Sequence, residues 1–370
     1  MKYNWRQPDW PNFRYNTIGL DSQLFTYTQH AGRVSGLMEG MPEELSVEVI
    51  LDLMITEAIQ SSAIEGEELN RKEVMSSLRN RLGFNAVPDP VKSKRADGAG
   101  QLMIAVRESF ANPLTAKTLH QWHQMLLDET PGLKVGAWRK GGDPMQVVSG
   151  RIDAPTVHFE APPAKQVAHE MSEFIRWFNQ TTPDTTKANE HPVIKSALAH
   201  LYFETIHPYE DGNGRIGRAI SEKVLSQGLG RPVIMSLSHT IEARRNAYYD
   251  ALKTAQRSNE VTPWVHWFVD TVVQSQLDTE TQVQFVVKKS KFFRRYESEM
   301  NPRQLKVMRR IFEAGADGFT GGINARKYIA LTGISKATAT RDLQELAQLG
   351  ILKPSGGGRS VRYELQVAPE

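Results

Sequence analysis

Twelve consecutive residues, His207-Pro-Tyr-Glu-Asp-Gly-Asn-Gly-Arg-Ile-Gly-Arg218, join an imidazole, a carboxylate, a glycine-rich turn and two arginines. A phosphoryl-transfer centre needs these parts. His207 can take a proton from an attacking hydroxyl. Asp211 is a hard oxygen ligand for a magnesium ion. Gly212 and Gly214 flank Asn213 and let backbone N–H groups approach phosphate oxygens. A helix beginning here adds a dipole that favours anions. Arg215 and Arg218 are three apart, so they share a helix face and can grip one polyphosphate.

Helical patterning on both sides must position these groups. Pro192 to Ile206 reads as a helix leading directly into them, with His200 a packed core histidine on its inner side. Arg218 to Gln227 continues as helix until Gly228-Leu-Gly230. Upstream, residues 1–30 read as an extended aromatic arm laid on the body. Helices are expected from about Glu43 into Ser61-Ser-Ala-Ile-Glu-Gly66, then over Arg71 to Leu82, Asp97 to Phe110, Thr115 to Asp128 and Ala164 to Asn179. Val147-Val148 and Val157-His-Phe159 flank turn residues and suggest a hairpin. Ile241 to Gln256 and Pro263 to Leu277 supply two more helices.

The chain has 370 residues, 40% hydrophobic and 24% charged, the composition of a globular protein of two or three domains. No run approaches the ~20 apolar residues of a membrane span, and the first residues do not read as a signal peptide. With no Cys, disulfides and thiolate metal sites are excluded, and cytoplasm is the expected compartment. The net charge of +3 hides an asymmetry. Residues 288–370 carry 16 Lys/Arg against 8 Asp/Glu, a net of +8, whereas residues 1–287 carry 29 against 34, a net of −5. The basic end is a candidate for contact with polyanions.

That end has its own pattern. Gln304 to Ala314, Ile323 to Leu331 and Ser335 to Leu349 read as three helices, the last capped by Ser335. A strand at Gly350-Ile-Leu352, a Gly356-Gly-Gly358 turn and a return strand at Val361 to Leu365 follow. This is the order of a winged helix-turn-helix. Lys336, Thr338, Thr340 and Arg341 would face DNA from the recognition helix, and Arg359 and Arg362 from the wing. Protein docking is the alternative use.

The twelve residues resemble the signature of the Fic family, His-Pro-Phe-x-(Asp/Glu)-Gly-Asn-Gly-Arg-x-x-Arg, with Tyr209 where Phe is usual. The resemblance covers about Leu114 to Leu277. It implies a mainly α fold: a Fic-type helical core with a β-hairpin flap, plus the C-terminal winged helix-turn-helix. Ser61-x-x-x-Glu65-Gly66 resembles the family's inhibitory motif, which implies a salt bridge from Glu65 to Arg218. Tyr248-Tyr249 and Leu252 are similar to a stretch that forms the nucleotide-base pocket in many members; ordinary core packing is the other reading. The implied reaction is protein adenylylation. ATP is the substrate, Mg2+ the cofactor on Asp211 and His207 the base. Asn213 with neighbouring N–H groups holds the transferred phosphate, and Arg215 and Arg218 hold the outer phosphates. The target protein would lie along the flap, Val147 to Phe159. Removal of AMP from a modified protein is an alternative, as is a nucleotide-sensing DNA-binding regulator. The expected divisions are 1–110, an N-terminal helical domain; 111–287, the catalytic core; 288–301, a basic linker; and 302–370, the winged helix. Beyond the target and DNA, a homodimer is allowed and no membrane partner is expected.

Overall fold

A computed structural model describes residues 3–85, 87–127, 132–142, 144–151, 154–180, 191–313, 321–356 and 361–366, without the side chains of 148–151 and 154–156. The chain divides into two compact units. The larger comprises Met1–Ser35 with Glu43–Thr279, and the smaller Gly36–Pro42 with Glu280–Glu370.

The N-terminal arm is shorter than the aromatic spacing suggests. A single 3-10 turn at Asn4–Arg6 is followed by helix α1, Asp21–Glu39, which occupies part of the stretch expected to be extended. The arm before it does lie on the body: the Trp5 indole donates to the Glu160 carbonyl at 2.7 Å and the Trp10 indole to Glu170 at 2.9 Å. Next come α2 (Glu43–Ile64), α3 (Arg71–Arg81, capped by Asn70), α4 (Lys94–Glu108, capped by Ser93) and α5 (Ala116–Leu127). Strands β1 (Gln146–Arg151) and β2 (Ala154–Glu160) pair antiparallel as the expected hairpin, with an irregularity between Val147 and Val148. Then follow α6 (Ala164–Gln180), α7 (Pro192–Ile206) and α8 (Asn213–Leu229). The helix expected over 241–256 is two, α9 (Leu237–Ala243) and α10 (Arg245–Ala255), because Arg244 leaves helical geometry at φ −124°, ψ 31°.

Helix α7 is the centre of the larger unit. Every residue from Val193 to Ile206 is buried, the polar Lys195, Ser196, His200, Glu204 and Thr205 included, so the helix is enclosed around its whole circumference. Its partner α8 lies beside it, with α2 and α4 also packed on α8. Trp122, Phe174, Tyr202 and Phe203 anchor one side of this core, and Trp264, Phe268 and Tyr248 the other. Two core helices joined by the six-residue segment 207–212 form a stiff frame, and the signature residues occupy that junction.

Helix α11 corrects the linker expectation. It runs from Thr262 to Tyr296, and a 3-10 turn, Glu297–Glu299, follows it. The basic residues of 288–296 are therefore helical. Phe292, with Phe285, Phe293 and Tyr296 partly buried beside it, belongs to the core of the smaller unit. That unit continues with α12 (Pro302–Phe312), α13 (Ala325–Thr332) and α14 (Lys336–Gln348), then an antiparallel hairpin of β3 (Leu352–Ser355) and β4 (Arg362–Leu365). A capping box between Asn301 and Gln304 starts α12, and the Ser335 side chain accepts from the Thr338 N–H to start α14. Ile323 bridges to Tyr363 beside the hairpin. Asp342 is buried on α14, where Arg303 and the Tyr328 hydroxyl hold it at 2.9 Å. Three helices and a hairpin around one small core make this a winged helix-turn-helix.

Candidate active site

Helix α7 ends at His207, which takes the left-handed conformation at φ 50°, ψ 61°, the one non-glycine residue with positive φ among those described. That conformation is uncommon for a side chain bearing a Cβ, so the surroundings must hold it. Arg139 does much of this. Its Nε donates to the His207 carbonyl at 2.8 Å, its Nη2 to the Pro162 carbonyl at 2.5 Å, and its backbone N–H to the Pro208 carbonyl at 2.9 Å. The bend turns the imidazole away from the helix axis and towards a cavity of about 580 Å³. Burial, followed by the Arg139 charge, pulls the His207 pKa down to about 4, so the ring is neutral and able to accept a proton near pH 7. Its Nδ1 is buried, 3.8 Å from Glu204 Oε2.

Asn213 has a different use from the one expected. Its amide donates to the Tyr209 carbonyl at 2.9 Å, and its side-chain oxygen accepts from the Tyr209 N–H at 3.0 Å. The side chain is buried and closes the 209–213 turn, leaving the backbone N–H groups at the start of α8 for an anion. Gly212 caps that helix at φ 81°. The Tyr209 hydroxyl, the departure from the signature, finds His120 Nδ1 at 3.2 Å. Its ring stacks on His123 with centroids 4.0 Å apart. His123 Nδ1 accepts from the Gly136 N–H at 2.9 Å, which leaves Nε2–H to donate to the Asp211 carbonyl at 3.2 Å. His123 thereby fixes the backbone beside Asp211.

The two arginines are already paired. Arg218, 1% exposed, donates from Nε to the Ser61 hydroxyl at 2.9 Å and from Nη2 to the Ser61 carbonyl at 2.7 Å and to Glu65 Oε1 at 2.8 Å. Burial opposes its charge most strongly, but Glu65, Tyr248 and Glu204 together outweigh burial and raise the Arg218 pKa above the ordinary value. Gly66 follows Glu65 at φ 80° and turns the chain at the end of α2. Gly214 is what admits the carboxylate: a Cβ built there would stand 2.0 Å from Glu65 Oε1 and 3.1 Å from Arg218 Nη1, a buried donor without a partner among the described residues. An anion therefore lies at the N-terminus of α8, against a glycine, beside an arginine. Arg215 donates to Glu67 Oε2 at 2.6 Å and approaches Asp211 Oδ1 at 3.5 Å.

The cavity wall includes Glu65, Glu204, His207, Asp211, Tyr248 and Tyr249. Tyr248 is both core and wall: it is buried, and its hydroxyl donates to His200 Nε2 at 2.8 Å. His200 Nδ1–H in turn donates to Ser221 Oγ at 3.2 Å, and burial keeps this ring neutral. The Tyr249 hydroxyl donates to the Ile64 carbonyl at 2.9 Å, tying α10 to the end of α2. Glu204 was not singled out from sequence. Burial, and then the Glu65 charge, push its pKa up to about 8. Asp211 is half exposed, and its Oδ1 accepts from the Gly212 N–H at 2.5 Å. No group of three or more His, Asp or Glu converges on a metal position among the described residues. One exposed carboxylate on a cavity wall nevertheless fits magnesium, which takes one or two carboxylates together with substrate phosphates and water.

Other functional residues had only indirect signals. Arg139 and Gly136 lie in the glycine-rich segment after α5. His123 falls on the face of α5 that buries Leu119, Trp122 and Leu126, where a histidine needs polar partners. In the smaller unit, Lys336 and Arg341 are exposed on α14 and Arg362 on β4. The hydroxyl of Thr338 contacts the Ser335 hydroxyl at 3.0 Å and that of Thr340 donates to the Lys336 carbonyl at 2.9 Å, so both have partners within the helix. Arg359 lies outside the described residues.

Residues 3–84 match a domain of unknown function, DUF4172, and residues 113–225 match the Fic/DOC family. Residues 320–366 match the C-terminal domain of DIP2311-like transcriptional regulators. The protein adenylyltransferase Fic of Drosophila yakuba is 27% identical over 218 residues, 57% of this chain and 38% of that protein. That of Aedes aegypti is 24% identical over 212 residues, with the same coverages. The chain thus spans about two fifths of the length of these curated relatives. A crystal structure of a Fic family protein from Desulfovibrio desulfuricans G20 aligns with 97% of this chain and 99% of its own at a TM-score of 0.53 and 20% identity. A Fic domain containing signaling protein from Bacteroides thetaiotaomicron VPI-5482 aligns with 70% of this chain and 97% of its own, also at 0.53, with 18% identity. No described helix is long and apolar enough to cross a membrane. Residues 113–225 are therefore a Fic/DOC family domain, set in a chain whose fold is shared with solved Fic family proteins.

Proposed function

We propose that the larger unit is a protein adenylyltransferase that moves AMP from ATP to a Ser, Thr or Tyr hydroxyl of a target protein, and that Glu65 holds it nearly off. The observation that carries this reading is the Glu65 carboxylate resting on Gly214 and paired with Arg218. It stands in for the anion that the start of α8 is built to take. In the released state a triphosphate replaces it, with Arg218 and Arg215 as its cationic partners. The target hydroxyl lies beside His207 with its peptide against the β1–β2 hairpin. The hydroxyl oxygen bonds to the α-phosphorus as the bond to the bridging oxygen breaks. Its proton goes to the neutral imidazole, and pyrophosphate leaves. Asp211 would hold magnesium, which neutralises phosphate charge. Backbone N–H groups at the start of α8 stabilise the transferred phosphate in a partly dry cavity, where such donors act most strongly.

The test is incubation of the full chain and a cell lysate with ATP labelled at the α-phosphate, followed by mass spectrometry of labelled protein. His207→Ala should keep ATP affinity and lose transfer by at least ~10²-fold. Transfer by this variant at near the wild-type rate overturns the mechanism.

For the smaller unit we infer a duplex DNA interface. Exposed Lys336 and Arg341 on α14 and Arg362 on β4 support it, as does the match to a transcriptional regulator domain. The full chain should retard duplex DNA in a gel, with affinity falling steeply as salt rises. Absence of binding at low salt favours a protein-docking role.

A further inference from the structure

Glu67 lies one residue beyond the Gly66 turn, outside the six-residue inhibitory motif. Both of its carboxylate oxygens are engaged. Oε2 accepts from Arg215 Nη1 at 2.6 Å, and Oε1 pairs with Arg95 Nη1 of α4 at 2.7 Å. The Glu67 side chain is 16% exposed and that of Arg215 6%, so this pair is shielded from water; the Arg95 side chain is 64% exposed. Asp211, Gly212, Asn213 and Gly214 all line the cavity, while Arg215, next in sequence, is not among the described residues of its wall. Arg215 instead gives Nη1 to Glu67 and leaves Nη2 3.5 Å from Asp211 Oδ1.

We propose that Glu67 is a second latch, holding Arg215 away from the cavity as Glu65 holds Arg218. This rests on the reading that the cavity takes a triphosphate. The latches are chemically separate, since Glu65 bonds Arg218 and Glu67 bonds Arg215, whose second carboxylate neighbour is Asp211 at 3.5 Å. Removing Glu65 frees Arg218 and leaves Arg215 bound. They are mechanically joined, because Glu65 and Glu67 flank one glycine, and a shift of that turn withdraws both acids together. Arg95 shares Glu67 and carries the second latch to the surface, so a change at an exposed residue of α4 reaches Arg215.

The experiment measures binding of inorganic triphosphate and of ATP to the full chain by calorimetry, with AMP incorporation as a separate readout. Glu67→Gln keeps a hydrogen-bond acceptor and removes the charge. Triphosphate affinity should rise about 10-fold, the worth of one charge-assisted bond, both alone and on the Glu65→Gly background. Glu68→Gln removes the neighbouring, exposed acid and serves as the charge-matched control; its affinity should stay within about twofold of the wild type, as for a surface charge. Arg95→Ala leaves both oxygens of Glu67 to Arg215. It should weaken triphosphate binding in the wild type and have no effect in the Glu67→Gln chain. Unchanged triphosphate affinity in Glu67→Gln, or an equal rise in Glu68→Gln, overturns the latch whatever the enzyme does. A rise specific to Glu67→Gln without AMP incorporation by any variant supports the latch and overturns the adenylyltransferase reading instead.

Discussion

Replacing Glu65 by Gly removes the carboxylate 2.8 Å from Arg218 Nη2 and clears the space over Gly214. A charge-assisted hydrogen bond contributes about 1.5–3 kcal/mol. The Glu65 side chain is 30% exposed, which places this one towards the lower end, about 1.5–2 kcal/mol. Freed of that competitor, Arg218 should engage the triphosphate roughly 10–30 times more readily. Self-modification with labelled ATP should rise by at least that factor, because the same change also lets the α-phosphate align for attack. The variant carries a cost. Arg218 keeps both acceptors of Ser61 but loses its one paired carboxylate, so the ligand-free melting temperature should fall by roughly 2–5 °C, and added triphosphate should recover it. Adding His207→Ala should abolish the gain in activity. If Glu65→Gly binds ATP as the wild type does and incorporates no more AMP, Glu65 is not the inhibitor. If it instead loses the ability to strip AMP from a modified protein, the carboxylate serves a hydrolytic step and the transferase reading gives way.

The acid limb of the transfer rate should lie near pH 4–5. Burial disfavours the imidazolium of His207, and the neutral form that accepts the proton persists down to about pH 4; an acid limb at pH 6.5 would show a solvated ring. The same shift makes folding prefer the neutral ring, so stability from this group is complete above pH 6.5 and declines as pH falls towards 4, measurable as a drop in melting temperature that His207→Ala lessens. Gly214→Ala should break the Glu65–Arg218 pair without activating the enzyme, since the new Cβ evicts the carboxylate and fills the place of the phosphate. High transfer by this variant would refute the assignment of that space.

Features that depend on neighbours in sequence were legible in advance. The caps at Ser335 and Gly230, the helix over Pro192–Ile206 and the hairpin follow from local rules, and the signature places its groups by adjacency along one turn. Errors arose where tertiary burial overrides local character. Asp21–Glu39 contains Gly32 and Gly36 among Thr, Ser and Gln, a weak helical pattern, yet Tyr27, Ala31 and Val34 are buried along one side. Lys288-Lys-Ser-Lys291 reads as a solvated linker, but Phe285, Phe292 and Tyr296 recur at helical spacing and carry the helix through it.

The ion pairs of the site were only half visible for the same reason. Glu65 could be matched to Arg218 through a motif, whereas the acid that holds Arg215 stands 148 residues away and belongs to none. Charge pairing across such a distance is set by how α2 and α4 pack on α8, which no local pattern encodes. Asn213 makes the converse point. Its type and position suit a phosphate ligand, but Tyr209 takes both ends of its amide, so the turn holds its shape before any anion arrives. A frame so constrained by His123, Asn213 and Arg139 has little need to reorganise on binding. On the proposed reading the part that moves is the short turn carrying Glu65 and Glu67, and the exposed Gly66 between them, already left-handed with open space around it, is the residue best suited to let it move.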